Sequence, residues 1–249
     1  MKILILQIDI TKGYIEYNHP SPSPWNKKER IRRNIENVFQ PSVQSWAKKM
    51  SYDYIRIDYH NADYVKAFGN LYREPTQETK LIGDDELHCL TRFSCLDLDY
   101  DYILYLDNDI YVHDKCEEFP FKPGISICKD QPFPNNYGKN LKSLAKTQGN
   151  TWYSCGVFSV DRTTGIHFKN YVLSLMEKKI LFNNFKYPGK IDQLYTNIYC
   201  NNNLDILNEL DITWNNIVNL KTSVENPNFA HYAGTNKTLK INWKIIQTP

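Results

Sequence analysis

The stretch Tyr-Ile-Leu-Tyr-Leu-Asp-Asn-Asp at residues 102–109 decides the predicted fold. Its first five residues form an apolar run, which is typical of a strand covered on both faces in an α/β sheet. In open sheets of this class, ligands bind beyond the carboxyl ends of the strands, where the two carboxylates of this stretch lie. Residues i and i+2 of extended backbone point to the same side, so Asp107 and Asp109 can face one cation. Oxygen ligands favour Mg²⁺ or Mn²⁺, and we prefer this metal site to the alternative in which one Asp only caps a turn.

Strand and helix patterns alternate through the first half of the chain. Apolar runs at 2–8 and 54–57 predict buried strands. Between these two strands, apolar residues from 31 to 46 recur at helical spacing, which predicts a helix. Pro41 is expected to kink or restart this helix. A further helix, capped by the Asp pair at 84–85, leads to the acidic strand. Repeats of this kind predict an α/β fold with a mostly parallel sheet and right-handed crossovers.

The second half of the chain is less regular. The predicted strands lie at 124–128, 156–160 and 229–233, and the predicted helices run from Asp161 to about residue 181 and within 189–202. No linker, repeat or low-complexity tract interrupts the sequence. We therefore expect a single domain over residues 1–249, with a nucleotide-binding half at about 1–110 and an acceptor-binding and metal-completing half at about 111–249.

The composition excludes several classes of protein. A net charge of +2 over 249 residues gives no strong long-range field, so no nucleic acid partner is expected. No apolar run approaches the ~20 residues that span a bilayer, and the start of the chain turns polar too early for a signal peptide. The six cysteines show neither a CxxC pair nor zinc-like spacing, which favours free thiols in a reducing compartment. We therefore expect a cytoplasmic protein with no transmembrane segment.

A second candidate motif lies near the C-terminus, in the segment 229–237. The neutral imidazole of His231 is a suitable third ligand for a transition ion. Gly234 permits close approach of the backbone to a phosphate, and Lys237 can supply a positive charge to it. Alone, this histidine would more often be a structural residue. Together with the acidic pair, the glycine and the lysine favour a site for a metal ion and a diphosphate.

Three further positions have two interpretations each, and spacing decides none of them. Asp192, which precedes Gln193, can cap a helix or present its carboxylate to ligand hydroxyls. Arg92, on the helix before the acidic strand, can reach a phosphate or form a structural ion pair. Asp9, at the end of the first strand, can contact a nucleobase or ribose, or it can cap a loop.

Four elements, in this order along the chain, resemble glycosyltransferase family 8, a family of retaining, metal-dependent enzymes with the GT-A fold. They are Tyr-Leu-Asp-Asn-Asp at 105–109, Ser-Cys-Gly-Val at 154–157, Asp-Gln at 192–193 and His-Tyr-Ala-Gly-x-x-Lys at 231–237. The acidic pair alone has low specificity, whereas the ordered set of four is more specific. The resemblance implies a GT-A fold built as a single Rossmann-like domain with an elaborated C-terminal half.

The resemblance also implies a role for each matching residue. Asp107, Asp109 and His231 would hold Mn²⁺ or Mg²⁺. Asp192 would bind hydroxyls of the donor sugar, and Gln193 would lie beside the reacting carbon, which makes these two the candidate catalytic pair. The implied donor-binding residues are Asp9, Arg92, Asp107, Asn108, Ser154, Cys155, Gly156, Gly234 and Lys237. Ser154 stands where the family usually has an asparagine, which changes a hydrogen-bonding group near the sugar.

The expected activity is transfer of a hexose or similar sugar from a nucleotide-diphosphate sugar, most simply a UDP-sugar, to a hydroxyl of a glycan, glycoprotein or glycolipid acceptor. Retention at the anomeric carbon is implied by the family. One alternative is a haloacid-dehalogenase-type phosphatase, but such enzymes carry their acidic motif after the first strand. The other is a non-catalytic protein that binds nucleotide-sugars. The basic and apolar tail at 237–247 can contact an anionic membrane, although packing on its own domain is the preferred interpretation.

Overall fold

The computed structural model describes residues 1–9, 34–58, 91–130, 141–142, 145–177, 191–218 and 224–233 of the chain. Several predicted features lie outside these residues. They are the start of the first helix, the caps at 84–85, the end of the helix expected to reach residue 181, and everything from Gly234 to the C-terminus. Within the described part, no helix is long and apolar enough to cross a membrane.

A six-stranded sheet forms the centre of the protein. Its strands are β1 (Ile3–Asp9), β2 (Asp53–Asp58), β3 (Tyr102–Leu106), β5 (Ile125–Lys129), β6 (Tyr153–Asp161) and β7 (Leu207–Leu210), in the spatial order β2-β1-β3-β6-β5-β7. Three of the five neighbouring pairs are parallel, and β6 runs antiparallel to both of its neighbours. The prediction of an α/β fold with a mostly parallel sheet is confirmed. Strands from both halves of the chain share this one sheet.

A second, smaller sheet lies beside the end of β3. It contains β4 (Ile110–Val112), β8 (Asn216–Ile217) and β9 (Phe229–His231), in the order β4-β9-β8. Because β4 follows the acidic turn directly and pairs antiparallel with β9, Ile110 lies opposite His231. The predicted strand at 229–233 is therefore shorter than expected, and it ends at the histidine.

Within the described residues, the sheets are accompanied by α1 (Gln40–Lys49), α2 (Arg162–Glu177) and α3 (Ile191–Asn202), and residues 91–94 are helical as well. A π-helical turn at Ile35–Phe39 precedes α1, and Pro41 lies in the first turn of α1, where its missing N–H costs no helical hydrogen bond. The change from π to α geometry falls next to this proline, where the sequence predicted a kink or a restart. Asp161 caps α2, since its carboxylate accepts hydrogen bonds from the backbone N–H and the hydroxyl of Thr164.

The core fills both faces of the central sheet. Alternate residues of β1 point to opposite sides, with Leu4 and Leu6 on one face and Ile3 and Ile5 on the other. The first face packs against α2 and α3 and includes the stacked rings of Phe168 and Tyr199, whose centroids are 4.1 Å apart. The second face packs against α1 and the small sheet. Burial on both faces explains why β1 and β3 are apolar along most of their length.

Candidate functional site

The acidic turn at 107–109 is fixed by backbone hydrogen bonds to two other strands. The N–H of Asp107 donates to the carbonyl of Gly156 on β6 at 2.8 Å. The N–H of Tyr232, just beyond β9, donates to the carbonyl of Asp109 at 3.0 Å. The side-chain amide of Gln7 on β1 donates to the carbonyl of Asp107 at 3.1 Å. The two carboxylates therefore lie on a turn that three separate elements hold in place.

Three side chains at this turn form a group able to hold a metal ion. One ligand atom each from Asp107, Asp109 and His231 lie within 4.8 Å of one another. Nε2 of His231 is 3.3 Å from Oδ1 of Asp109 and 3.7 Å from Oδ2 of Asp107. Two atoms that bind the same ion at about 2.1 Å are at most about 4.2 Å apart, so both distances fit one shared cation. Two carboxylate oxygens and one imidazole nitrogen suit Mn²⁺ or Mg²⁺.

Arg92 links this turn to α3. The guanidinium is 3% exposed, and its NH2 group lies 2.8 Å from Oδ2 of Asp192 and 3.4 Å from Oδ1 of Asp107. Its other terminal nitrogen donates to the carbonyl of Cys155 at 3.0 Å. Burial lowers the pKa of Arg92, but Asp192, Tyr105 and Asp107 raise it by more, so the net pKa lies well above its ordinary value. Arg92 therefore forms ion pairs on both sides of the site.

Tyr105, on β3, contacts both Asp107 and Arg92. Its hydroxyl donates to Oδ1 of Asp107 at 2.7 Å, and the guanidinium of Arg92 lies 4.4 Å above its ring. Burial is the main cause that raises the pKa of Tyr105 well above its ordinary value, so the phenol remains a neutral donor.

The described residues bring three carboxylates together with one guanidinium at this site. The formal charges of Asp107, Asp109, Asp192 and Arg92 sum to −2 when His231 is neutral. Buried charge of this kind is costly unless it is compensated. A divalent cation carries the compensating charge, so the electrostatics of the site fit a metal ion as well as its geometry does.

The orientation of His231 agrees with this fit. Its Nδ1 lies 2.8 Å from the side-chain oxygen of Asn215, and the amide nitrogen of Asn215 donates to the hydroxyl of Ser154 at 2.9 Å. When Nδ1 carries the hydrogen and donates to that oxygen, Nε2 presents its lone pair to the two carboxylates. Negative oxygens facing a lone pair repel it unless a proton or a cation lies between them.

Gly156 makes room for the imidazole. An ideal Cβ at this position would clash with Cε1 of His231 and would lie 3.0 Å from both Nδ1 of His231 and Oδ2 of Asp107. The surrounding strand is irregular: Ile127 pairs with Phe158 and Lys129 pairs with Tyr153, so four residues of β6 stand opposite one residue of β5. Such bulges re-aim side chains and are common beside active sites. Here the bulge contains Ser154, Cys155 and Gly156.

The acidic turn forms one wall of the site, and the first turn of α3 forms the other. Oδ2 of Asp192 accepts from Arg92 and, at 3.6 Å, from the thiol of Cys155. Oδ1 of Asp192 is buried and has no hydrogen-bond partner among the described residues. The amide nitrogen of Gln193 donates to Oδ2 of Asp130 at 2.8 Å. The carboxylate of Asp192 thus has one oxygen engaged by the protein and the other without a hydrogen bond from the described residues.

Two asparagines on α3 hold this wall against the sheet. The side chain of Asn197 accepts from the N–H of Tyr153 at 2.6 Å and donates to the carbonyl of the same residue at 2.9 Å. Asn201, one turn later, does the same with Thr151 at 3.0 and 2.8 Å. Each amide therefore replaces the neighbouring strand that these backbone groups would otherwise require. We call these two residues the asparagine ladder.

The structure places most of the sequence-predicted site residues together. The residues linked by contacts are Arg92, Asp107, Asp109, Cys155, Asp192 and His231, with Gly156 packed against them and Ser154 joined to His231 through Asn215. Asn108 lies between the two acids in the turn, and Gln193 lies beside Asp192 on α3. The backbone of Asp9 ends β1, while its side chain, Gly234 and Lys237 lie outside the described part.

Five residues that support the site were not anticipated: Gln7, Tyr105, Asp130, Asn197 and Asn215. A usable signal existed for the first two, because a polar group inside a buried apolar strand needs a partner. The two asparagines gave no such signal.

No protein-family model matches the chain, and no curated protein matches it. Solved structures, in contrast, do match the chain. A glycosyltransferase involved in glycosylation of the major capsid of PBCV-1 is 15% identical, with a TM-score of 0.53 over 95% of this chain and 96% of that one. The galactosyltransferase LgtC, solved in complex with donor and acceptor sugar analogues, is 13% identical, with a TM-score of 0.50 over 94% of this chain and 87% of that one. The chain has the fold of these glycosyltransferases, which confirms the predicted GT-A fold.

Proposed function

We propose that the protein is a metal-dependent glycosyltransferase that moves a hexose or similar sugar from a nucleotide-diphosphate sugar to an acceptor hydroxyl. The observation that carries the proposal is the group formed by Asp107, Asp109 and His231 beside the buried pair of Arg92 and Asp192. The fold shared with glycosyltransferases supports the same conclusion. A UDP-sugar is the proposed donor, and a glycan, glycoprotein or glycolipid is the proposed acceptor.

The metal site serves the departure of the diphosphate. Asp107, Asp109 and His231 would hold Mn²⁺ or Mg²⁺, and the bound ion supplies positive charge to the diphosphate oxygens. The residues of the chain supply the rest of the environment. Arg92 and Tyr105 hold Asp107 in one orientation, so the ligand atoms need little rearrangement to bind the ion. Gly234 and Lys237 would contact the diphosphate.

The donor sugar would lie against α3. The buried Oδ1 of Asp192 is costly to leave without a hydrogen bond, and a sugar hydroxyl can donate to it. Gln193 would lie beside the reacting carbon, held there by Asp130. Asp9, Asn108 and the bulge residues of β6 would complete the donor pocket. Retention at the anomeric carbon is proposed from the family resemblance alone.

A panel of nucleotide-sugars, assayed with Mn²⁺ for binding and hydrolysis, tests the proposal. We expect one or more of them to raise the melting temperature of the protein in the presence of Mn²⁺, since a ligand of the folded state stabilises it. The shift should disappear in Asp109→Asn. Hydrolysis of simple phosphate esters with no response to any nucleotide-sugar would favour a phosphatase. Metal-dependent binding without hydrolysis or transfer would favour a non-catalytic binding protein.

A further inference from the structure

We call Asp107, Asp109 and His231 the metal group. Asn215 connects this group to β6. It follows the 3₁₀ turn Ile212–Trp214, directly precedes β8, and is 2% exposed. Its amide oxygen lies 2.8 Å from Nδ1 of His231, and its amide nitrogen donates to the hydroxyl of Ser154 at 2.9 Å. We propose that Asn215 is a positioning residue that fixes the hydrogen of His231 on Nδ1 and so keeps Nε2 as the metal ligand. This inference rests on the metal site of the proposed function.

The orientation of one amide group decides what the imidazole presents to the acids. With the oxygen of Asn215 facing Nδ1, that nitrogen carries the hydrogen and Nε2 has a lone pair. If the amide turned by half a rotation, its NH2 group would face Nδ1, and the hydrogen would move to Nε2. The imidazole would then direct a hydrogen at Asp109 and could not bind a cation through that atom. Partners of this kind set the tautomer of metal-binding histidines.

Asn215 is held in place by rigid neighbours rather than by the metal group alone. The strand that follows it pairs in parallel with β9, and Ile217 lies opposite His231. The N–H of Val218 donates to the carbonyl of His231 at 3.0 Å. On the other side, the ring of Trp214 packs edge-on against Phe229 with centroids 5.2 Å apart. The amide and the imidazole are therefore carried by two adjacent strands, which limits their relative movement.

Ser154 gains a role through the same contact. Its hydroxyl accepts from the amide nitrogen of Asn215 while the amide oxygen faces His231. A serine stands here where the resembled family usually has an asparagine. In this chain the hydroxyl acts, through Asn215, on the metal ligand.

Variants at position 215 of the full chain test the proposal with Mn²⁺ as the probe. Asn215→Leu keeps the size of the side chain but removes the acceptor, and we expect Mn²⁺ affinity to fall about 10–100-fold. Asn215→Asp keeps an acceptor oxygen beside Nδ1, and we expect it to retain Mn²⁺ affinity. Affinity is measured from the electron paramagnetic resonance signal of free Mn²⁺, and circular dichroism shows that each variant is folded. Equal affinity in folded Asn215→Leu and in the unmodified protein would overturn the proposal.

A spectroscopic measurement tests the tautomer directly. In protein labelled with ¹⁵N-histidine, the two imidazole nitrogens of His231 have different shifts according to which one carries the hydrogen. We expect Nδ1 to carry a hydrogen in the metal-free protein, whether or not Nε2 is protonated as well. An Nδ1 without a hydrogen in the unmodified protein would overturn the proposal even if Asn215→Leu does not fold.

Asp109→Asn separates failure of this inference from failure of the proposed function. If Asp109→Asn weakens Mn²⁺ binding and Asn215→Leu does not, the metal site stands and the role of Asn215 is wrong. If Asp109→Asn leaves Mn²⁺ binding unchanged, the metal site itself is wrong, and the inference fails with it.

Discussion

The two walls of the candidate site hold their polar groups by different means. At the acidic turn, charged groups face one another, and Arg92 pairs with both Asp107 and Asp192. On α3, the neutral amides of Asn197 and Asn201 satisfy both the N–H and the C=O of their partners without any ligand. The acidic turn thus concentrates negative charge that a cation would balance, whereas the asparagine ladder is satisfied by the protein itself. The difference separates the residues proposed to bind a ligand from the residues that support the site.

The largest expected effect is at the acidic wall. We expect Asp109→Asn to lower sugar transfer in the presence of Mn²⁺ by about 10³-fold, because a catalytic metal contributes several kcal/mol of charge stabilisation. Without metal, the variant should melt no lower than the unmodified protein, since the substitution removes one negative charge from a cluster with an excess of them. Steady-state rates and melting curves with and without Mn²⁺ measure both effects. A large loss of metal-free stability would mean that Asp109 has a structural role.

A pair of glycine variants compares the two walls directly. Gly156→Ala places a methyl group against His231, and we expect Mn²⁺ affinity to fall about 10–100-fold, as for other displaced ligands. Gly149→Ala places a methyl group against Oδ1 of Asn201 and 3.3 Å from Leu204, in the asparagine ladder rather than against a candidate metal ligand. We expect this second variant to lose about 1–3 kcal/mol of stability through overpacking and to keep its Mn²⁺ affinity.

Isothermal titration with Mn²⁺ and urea denaturation measure the two quantities for both variants. Loss of Mn²⁺ affinity in Gly149→Ala would show that the two walls are coupled, which contradicts the division drawn above.

The asparagine ladder supports a third prediction. Asn197→Leu removes the side-chain partner of the N–H of Tyr153 and the shorter hydrogen bond to its carbonyl, which keeps only the contact with Gln193 at 3.4 Å. We expect the free energy of unfolding to fall by about 2–4 kcal/mol. Urea denaturation measures the loss, and Mn²⁺ affinity should remain unchanged. Thr196 is the matched control, because its buried hydroxyl has no hydrogen-bond partner within the described part of the chain. Thr196→Val should therefore be neutral or stabilising. Equal losses in the two variants would contradict the supporting role of the ladder.

The sequence predicted the long apolar elements well and the short ones poorly. Runs at 2–8, 54–57 and 102–106 match strands, because burial on both faces produces an uninterrupted apolar pattern. β4 and β8 have three and two residues, which is too few for any periodicity to show. The start of β6 was placed too late, since the bulged residues read as a loop.

The binding residues were easier to predict than their supports. Asp107, Asp109 and His231 are recognisable as metal-binding residue types, and the structure brings them together. Asn215 is 16 residues from His231 and 61 from Ser154, and Asn197 is 44 residues from Tyr153. Asparagines are common in turns, so their types carry no information about partners so distant in the chain. Supporting contacts of this kind exist only in the tertiary structure.

The smallest expected effect lies at the far end of β6, where Asp161 caps α2 and takes no part in the site. Burial raises the pKa of this carboxyl, but hydrogen bonds from the backbone of Gly124 and from Thr164 lower it by more, so the net pKa lies below its ordinary value. A lowered pKa stabilises the folded protein above the unfolded pKa of about 3.9, and this stabilisation is lost as the pH falls through the folded value. We expect Asp161→Ala to lower the free energy of unfolding by about 1 kcal/mol at neutral pH.

Urea denaturation at neutral pH and at successively lower pH checks this expectation. The difference between Asp161→Ala and the unmodified protein should shrink as Asp161 becomes protonated, because both forms then lack the charged cap. Asp161→Asn keeps an uncharged acceptor for Thr164 and should lose less stability at neutral pH. Mn²⁺ affinity should be the same in all three proteins, because the cap and the metal group lie at opposite ends of the strand. A change in Mn²⁺ affinity on loss of the cap would show that β6 transmits strain along its length, and that the bulge does not isolate Gly156 from the helix that follows.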